Sequence, residues 1–218
     1  MITFAAPGQE GRRLQTVEEI AASYDAQARD SYVNKLRNPF FEAYGRAVGR
    51  MLASLKPIAL LDAGCGDGYT LSYALEEVRI PVVFGVDVSK ERLKIAESIL
   101  GPRNVTFRRM DLFDLRFGDS SIDVVMTSHA LEPNGGREVE GIRELYRVAR
   151  RYLLLIEPDY DLAPPDGKAR MERLGYVCDL WEAVEELDLE CTAYGPFVPS
   201  GNPLNPSSYF IVHKGGTA

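Results

Sequence analysis

The chain has 218 residues, a formal net charge of −7, 45% hydrophobic and 26% charged residues, a globular composition long enough for one domain with a sizeable core. Its acidity disfavours sequence-independent binding to nucleic acid, Arg108-Arg109 and Arg150-Arg151 being the only basic doublets near the middle. Cys65, Cys178 and Cys191 are too scattered for a disulfide framework or, with two histidines, for a zinc site. No apolar run approaches a membrane helix and Met1–Arg13 lacks a leader's apolar stretch, so a cytoplasmic protein with no membrane partner is expected.

In chain order, Thr16 and Glu19 form a capping-box pattern that opens a short helix with Val17, Ile20, Ala21 and Tyr24 on its apolar side. A second helix is expected from about Phe40 to Leu55. Then come five short apolar runs, Ile58–Leu61, Val82–Val86, Val105–Phe107, Val124–Met126 and Leu153–Ile156, which read as strands buried on both faces. Helical spacing separates them: Leu71, Leu75 and Val78; Leu93, Ala96, Ile99 and Leu100, stopped by Gly101-Pro102; and Ile142, Leu145, Tyr146 and Ala149. This alternation predicts an α/β fold with a mostly parallel sheet and helices on both faces. After Ile156, Met171, Leu174, Trp181, Val184 and Leu187 predict a helix broken near Gly175. Leu189–Tyr194 and Tyr209–Val212 follow as two late strands around the Pro- and Asn-rich loop Gly195–Ser207. The organisation expected is residues 1–56 as helices forming a lid and 57–218 as the core, in one structural domain.

The sharpest chemical signal is Asp62-Ala63-Gly64-Cys65-Gly66-Asp67-Gly68, where a buried strand runs through three alternating glycines into a helix. Glycines there let a ligand touch backbone, and the helix N-terminus offers free N–H groups. Asp87, about 19 residues after Gly68, ends the second strand, where a carboxylate can accept both hydroxyls of an adenosine ribose. The spacing G-x-G-x-G differs from the dinucleotide fingerprint G-x-G-x-x-G. Met110-Asp111-Leu112 follows the third strand, and Asp123–Glu132 spans the fourth strand and its turn.

Together these residues resemble the class I S-adenosylmethionine-dependent methyltransferases of small-molecule type, from roughly Val17 to Ile156. The resemblance implies a Rossmann-like seven-stranded sheet with an antiparallel last strand, S-adenosylmethionine as cofactor, S-adenosylhomocysteine as product, and no metal. It implies that Asp62 orders the turn, that Gly64 and Gly66 face the methionine part with Cys65 and Gly68 in the same turn, and that Asp87 takes the ribose. Val88 would pack on adenine, Asp111 bond its amino group and the Leu112 amide face its ring; Ser128 would lie near the sulfonium. Tyr24-Asp25 resembles the pair with which many members cover the cofactor. Pro133 stands where many relatives have His, which weakens any mechanism borrowed from that histidine.

His129, Glu132 and Glu157, at carboxyl ends of strands, are the candidates for catalysis: His129 as a base for an attacking hydroxyl, the acids for a polar acceptor. The acceptor is expected where His129–Glu132, Glu157–Tyr160 and the Gly195–Ser207 loop converge. Plainer readings stand beside these: Cys65 as a small apolar residue, Tyr24, Tyr32 and Tyr44 as core, Asp159 and Asp161 as surface charges. The expected activity is methyl transfer to O or N of a small polar molecule. The alternatives are a catalytically silent cofactor-binding protein or a nicotinamide-dependent oxidoreductase.

Overall fold

The computed structural model describes residues 15–199 and 201–215; Met1–Arg13 and Ser200 lie outside them. Two helices, α1 (Val17–Leu36) and α2 (Pro39–Leu55), precede an alternation of β1 (Ala59–Ala63), α3 (Tyr69–Glu77), β2 (Val82–Asp87), α4 (Lys90–Leu100), β3 (Val105–Arg109), β4 (Ile122–Ser128), α5 (Glu138–Val148) and β5 (Ala149–Pro158). Helices α6 (Pro165–Leu174) and α7 (Leu180–Glu186) lead to β6 (Glu190–Pro196) and β7 (Ser207–His213). The seven strands lie in the order β3-β2-β1-β4-β5-β7-β6. β7 alone runs opposite to the other six strands, antiparallel to β5 on one side and to β6 on the other, as expected.

Alternate residues of each strand feed opposite layers because side chains leave a strand on alternate faces. Leu61, Val125, Leu153 and Leu155 pack under α5 and α7, against Ile142, Leu145 and Val184. Leu60, Val124, Met126 and Leu154 pack under α2, α3 and α4, against Leu52, Leu71 and Leu100. Each fully buried leucine contributes about 1.5–3 kcal/mol relative to exposure.

Several expectations are corrected. The strand at Val105–Phe107 is not buried on both faces: β3 is the sheet edge, with Thr106, Arg108 and Arg109 exposed. Val78 leaves α3 in an extended conformation, and Ala149 opens β5 rather than closing α5. The expected break near Gly175 is present, with that residue closing α6 in the left-handed conformation (φ 73°).

The first helix is 20 residues long, not short, and its capping box is made, Thr16 accepting from the Glu19 amide and Glu19 from the Thr16 amide. Of the two helices grouped as a lid, α2 belongs to the core. Val48 and Leu52 are fully buried, and Cβ atoms at Gly45 and Gly49 would collide with the α3 carbonyls of Thr70 and Ala74. Helix α1 is much less buried, with only Ile20, Ala21 and Ala28 among its buried residues. No helix among the described residues is long and apolar enough to cross a membrane.

Candidate active site

The turn after β1 is built against β2. The amides of Gly64 and Cys65 donate to the Val86 carbonyl at 2.8 and 2.9 Å. The Gly66 amide donates to Asp87 Oδ2 at 2.9 Å and the Ser89 amide to Asp87 Oδ1 at 2.8 Å. Gly64 (φ 81°) and Gly66 (φ 55°) both adopt left-handed backbone. A Cβ on Gly64 would overlap Ala130, whereas a Cβ on Gly66 would clash with nothing among the described residues and meet the Arg92 side chain at 3.7 Å.

Asp62 lies beneath this turn, 2% exposed, and its Oδ1 has no hydrogen-bond partner. Burial, then the neighbouring Asp87, pushes its carboxyl up to about 8. Burial also raises Asp87, offset in part by the Ser89 and Gly66 amides. Cys65 is buried and its thiol is pushed well above the usual range by burial, so it is packing rather than a nucleophile.

Two cavities open at the carboxyl ends of the strands, where open α/β sheets bind ligands. The larger, about 390 Å³, is walled by Asp62, Gly64, Cys65, Gly66 and Ser128 on the sheet side. Phe40, Phe41 and Tyr44 of α2, with Asn202 and Asn205 of the β6–β7 loop, close the other. The smaller, about 60 Å³, is lined by Tyr24, Asp87, Val88, Asp111 and Leu112. Gly64, Arg92 and His129 line both and so form the waist between them.

Thus Tyr24, Asp62, Gly64, Cys65, Gly66, Asp87, Val88, Asp111, Leu112, Ser128 and His129 are brought together. Gly68 is not. It opens α3 at φ 73° and faces α4, where an added Cβ would stand 3.0 Å from Ala96 Cβ; its role is close packing. Tyr44, expected to be simple core, walls the larger cavity and shares a 2.9 Å hydrogen bond with the Ser128 hydroxyl.

The expected catalytic trio divides into three roles. His129 Nδ1 lies 2.5 Å from Glu132 Oε2 and its Nε2 lies 2.9 Å from Ser207 Oγ. Burial opposes charging the imidazole, but Glu132 outweighs it and holds the histidine above its ordinary pKa. Burial likewise opposes ionisation of Glu132, yet His129 keeps that carboxyl below its usual range. Glu132 lines neither cavity; it stands behind His129, and the Asn205 side-chain amide donates to its Oε1 at 3.3 Å.

Glu157 also lines neither cavity. It is fully buried and accepts from the amides of Ala130, Leu131 and Glu132 at 3.0–3.2 Å, with burial raising its carboxyl to about 7. These bonds hold the turn in which His129 takes a left-handed backbone (φ 55°), a conformation sustained only where surrounding structure enforces it. Glu157 is therefore a positioning residue, and the expected convergence of Glu157–Tyr160 on the acceptor is not found. Asp159, expected at the surface, is 8% exposed and accepts from the Tyr194 and Ser208 hydroxyls.

Helix α1 spans both cavities. Asp25 accepts from Ser89 Oγ at 2.6 Å and from the Glu91 amide at 3.0 Å, Tyr24 lies under the Arg92 guanidinium at 4.1 Å, and Lys35 pairs with Asp67 at 2.8 Å. Sequence reasoning missed Arg92, Lys35, Asp67 and Ser207. Arg92 sits in a Lys-Glu-Arg run that reads as a solvated helix face, and the others are defined only by partners 32 and 78 residues away.

The comparisons agree with this geometry. A methyltransferase-domain family profile matches residues 60–151, from β1 into β5. Ajmaline N-methyltransferase of Rauvolfia serpentina is 28% identical over 139 residues, 58% of this chain and 47% of that protein. The chain therefore spans about half the length of that curated relative. Among solved structures, an S-adenosylmethionine-dependent methyltransferase from Aquifex aeolicus superposes with TM-score 0.60 at 21% identity, over 84% of this chain and 97% of its own. The [4+2]-cyclase SpnF superposes with TM-score 0.65 at 14% identity, over 93% and 97%, so the fold alone does not define the reaction. Residues 60–151 thus match a methyltransferase domain, set in a fold shared with the Aquifex aeolicus methyltransferase.

Proposed function

We propose that this protein transfers a methyl group from S-adenosylmethionine to an oxygen or nitrogen of a small polar acceptor held in the larger cavity. The observation that carries the reading is the buried, partnerless Asp62 Oδ1 in the same wall as the open Gly66 cradle, next to Asp87. An ammonium satisfies Asp62, and the cradle admits a ligand chain against backbone. Each Asp87 oxygen accepts one amide, leaving lone pairs for ribose hydroxyls. Val88 and Leu112 offer apolar contact to adenine, with Asp111 at its edge.

Bound there, S-adenosylmethionine supplies a methyl group already activated on its sulfonium. The chain's contribution is to hold the acceptor in line with it. Phe40, Phe41 and Tyr44 supply an apolar wall, and the Asn202 and Asn205 amides supply polar contacts. For a hydroxyl acceptor, His129 Nε2 takes the proton in place of its Ser207 contact, while Glu132 stabilises the resulting imidazolium. The reading assigns no role to a metal. The net charge of −7 supports a small molecule over a nucleic acid.

Calorimetric titration with S-adenosylhomocysteine, S-adenosylmethionine and NADH tests the cofactor. Mass-spectrometric detection of S-adenosylhomocysteine release across a panel of small molecules tests the reaction. Micromolar binding of the first two, with product formed, is expected. NADH binding instead would make the protein an oxidoreductase; binding of S-adenosylmethionine with no turnover on any acceptor would make it a silent binder. Asp87→Ala is expected to weaken cofactor binding by about 5- to 150-fold, the 1–3 kcal/mol of unpaired polar groups; unchanged affinity would remove Asp87 from the site.

Asp62 gives the affinity a pH dependence. With its carboxyl near 8 in the free protein, it is mostly protonated at pH 7 and must ionise to accept from an ammonium. Binding should release a proton, and affinity should rise with pH up to about 8, by at most tenfold per unit. For the free protein the sign is opposite. The native state holds this proton and the unfolded state, with an ordinary value of 3.8, does not, so the Asp62 contribution to stability falls as pH rises from about 4 to 8. Titrations in phosphate and Tris, which differ in ionisation enthalpy, measure the proton released; identical enthalpies would sink the assignment.

We further propose that α1 closes over the bound cofactor. Its amides, Thr16 to Tyr32, should exchange hydrogen more slowly when S-adenosylhomocysteine is present. Equal exchange would return Tyr24 to plain core.

A further inference from the structure

Arg92 is used by nothing in the reading above, yet it lines both cavities. Its guanidinium carbon stands 4.1 Å over the Tyr24 ring, and its Nη1 and Cδ, at 3.7 and 3.9 Å, are the atoms that a Cβ on Gly66 would meet among the described residues beyond its chain neighbours. Its Nε is buried with no hydrogen-bond partner, and among the described residues no carboxylate forms an ion pair with it, although its charge reaches Asp87. A permanent cation is thus held at the waist by an aromatic face rather than neutralised by an acid.

The waist has a chemical meaning if, as proposed, the amino-acid portion of the cofactor lies at Asp62 and the nucleoside portion at Asp87. The atom joining those portions is the sulfur, and it has to pass between Gly64, Arg92 and His129. In the methyl donor that sulfur is a cation; in the demethylated product it is a neutral thioether. We propose that Arg92 is a specificity-determining residue that sets the balance between these two ligands, disfavouring the sulfonium form relative to the thioether by charge repulsion. Repulsion that ends when the methyl group leaves raises the ground state more than the transition state, in which the sulfur is already losing its charge. It also leaves the product firmly held, so that turnover is sensitive to product accumulation. This inference rests on the cofactor reading above.

The test is the ratio of Kd values for S-adenosylmethionine and S-adenosylhomocysteine, measured by calorimetry on the wild-type protein, Arg92→Met and Arg92→Lys. Any loosening of Tyr24 or α1 affects both ligands alike and cancels in the ratio. Arg92→Met removes the charge and keeps the chain length; it should shift the ratio toward the sulfonium ligand by about tenfold, the scale of partly screened charges near a protein surface. Arg92→Lys keeps the charge and should leave the ratio within about twofold of wild type. The same ratio in all three proteins overturns the proposal while leaving the cofactor reading standing. Wild-type protein that binds neither ligand overturns both.

Discussion

Gly66→Val should weaken cofactor binding at least a hundredfold, a loss of about 2.7 kcal/mol or more, in a protein that still folds. The position that a Cβ would take at residue 66 meets the Arg92 side chain at ordinary contact distance in the wall of the larger cavity, so the two valine methyl groups would project into what the ligand needs. The backbone there has φ 55°, which a β-branched residue adopts only with strain of about 1–3 kcal/mol, so the melting temperature should fall by several degrees. Circular dichroism and a thermal melt separate the two effects. A folded variant that binds S-adenosylhomocysteine as the wild type does would show that the cavity above Gly66 is not the cofactor site.

Glu157→Ala should produce the largest loss of stability among the site residues. Three backbone amides in the turn after β4 donate to this carboxylate, and removing it leaves them buried without an acceptor. Each such group costs about 1–3 kcal/mol, offset by relief of the burial that already raises the carboxyl to about 7. A net loss of about 2–4 kcal/mol, or roughly 5–15 °C in Tm for a domain of this size, is expected from thermal melts. Cofactor affinity should fall with it, because the turn presents His129. Unchanged Tm would mean that the turn is held by its other contacts and that the left-handed His129 needs no clamp.

The strands were readable because buried strands are apolar, but their ends were not. Each central strand runs one or more residues beyond its apolar stretch, to Ala63, Asp87, Ser128 and Pro158, because the polar residues there serve the cavity rather than the core. Asp62, Gly64, Gly66 and Asp87 are legible from the glycine pattern, the acid ending the next strand and the family resemblance these carry, since they lie on or just after two adjacent strands joined by one helix. The proposed acceptor wall is legible only in part. Asn202 and Asn205 lie in the loop expected near the acceptor, between the last two strands, but Phe40 and Phe41 belong to a helix that precedes the first strand, so only the folded chain brings the two together. Glu132 and Glu157 were picked out as acids at strand ends, which is correct as placement. What sequence cannot say is that both point inward, one to an imidazole and the other to backbone amides.

The position of β7 ties the acceptor wall to a single seam. Among the described residues β6 is hydrogen-bonded only to β7, and β7 is in turn attached to the rest of the sheet through β5. The two strands and the loop between them therefore join the sheet along one ladder, from Tyr152–His213 to Pro158–Ser207, reinforced by the Tyr194 and Ser208 hydroxyls on Asp159 and by Phe210 and Val212 in the core. Asn202, Asn205 and the Ser207 contact to His129 all belong to this one unit, whereas Asp62 and Asp87 lie on strands nearer the centre of the sheet. If the larger cavity takes the acceptor as proposed, substitutions along the β5–β7 seam are expected to change acceptor turnover ahead of S-adenosylhomocysteine affinity, which parallel turnover and calorimetric measurements would check.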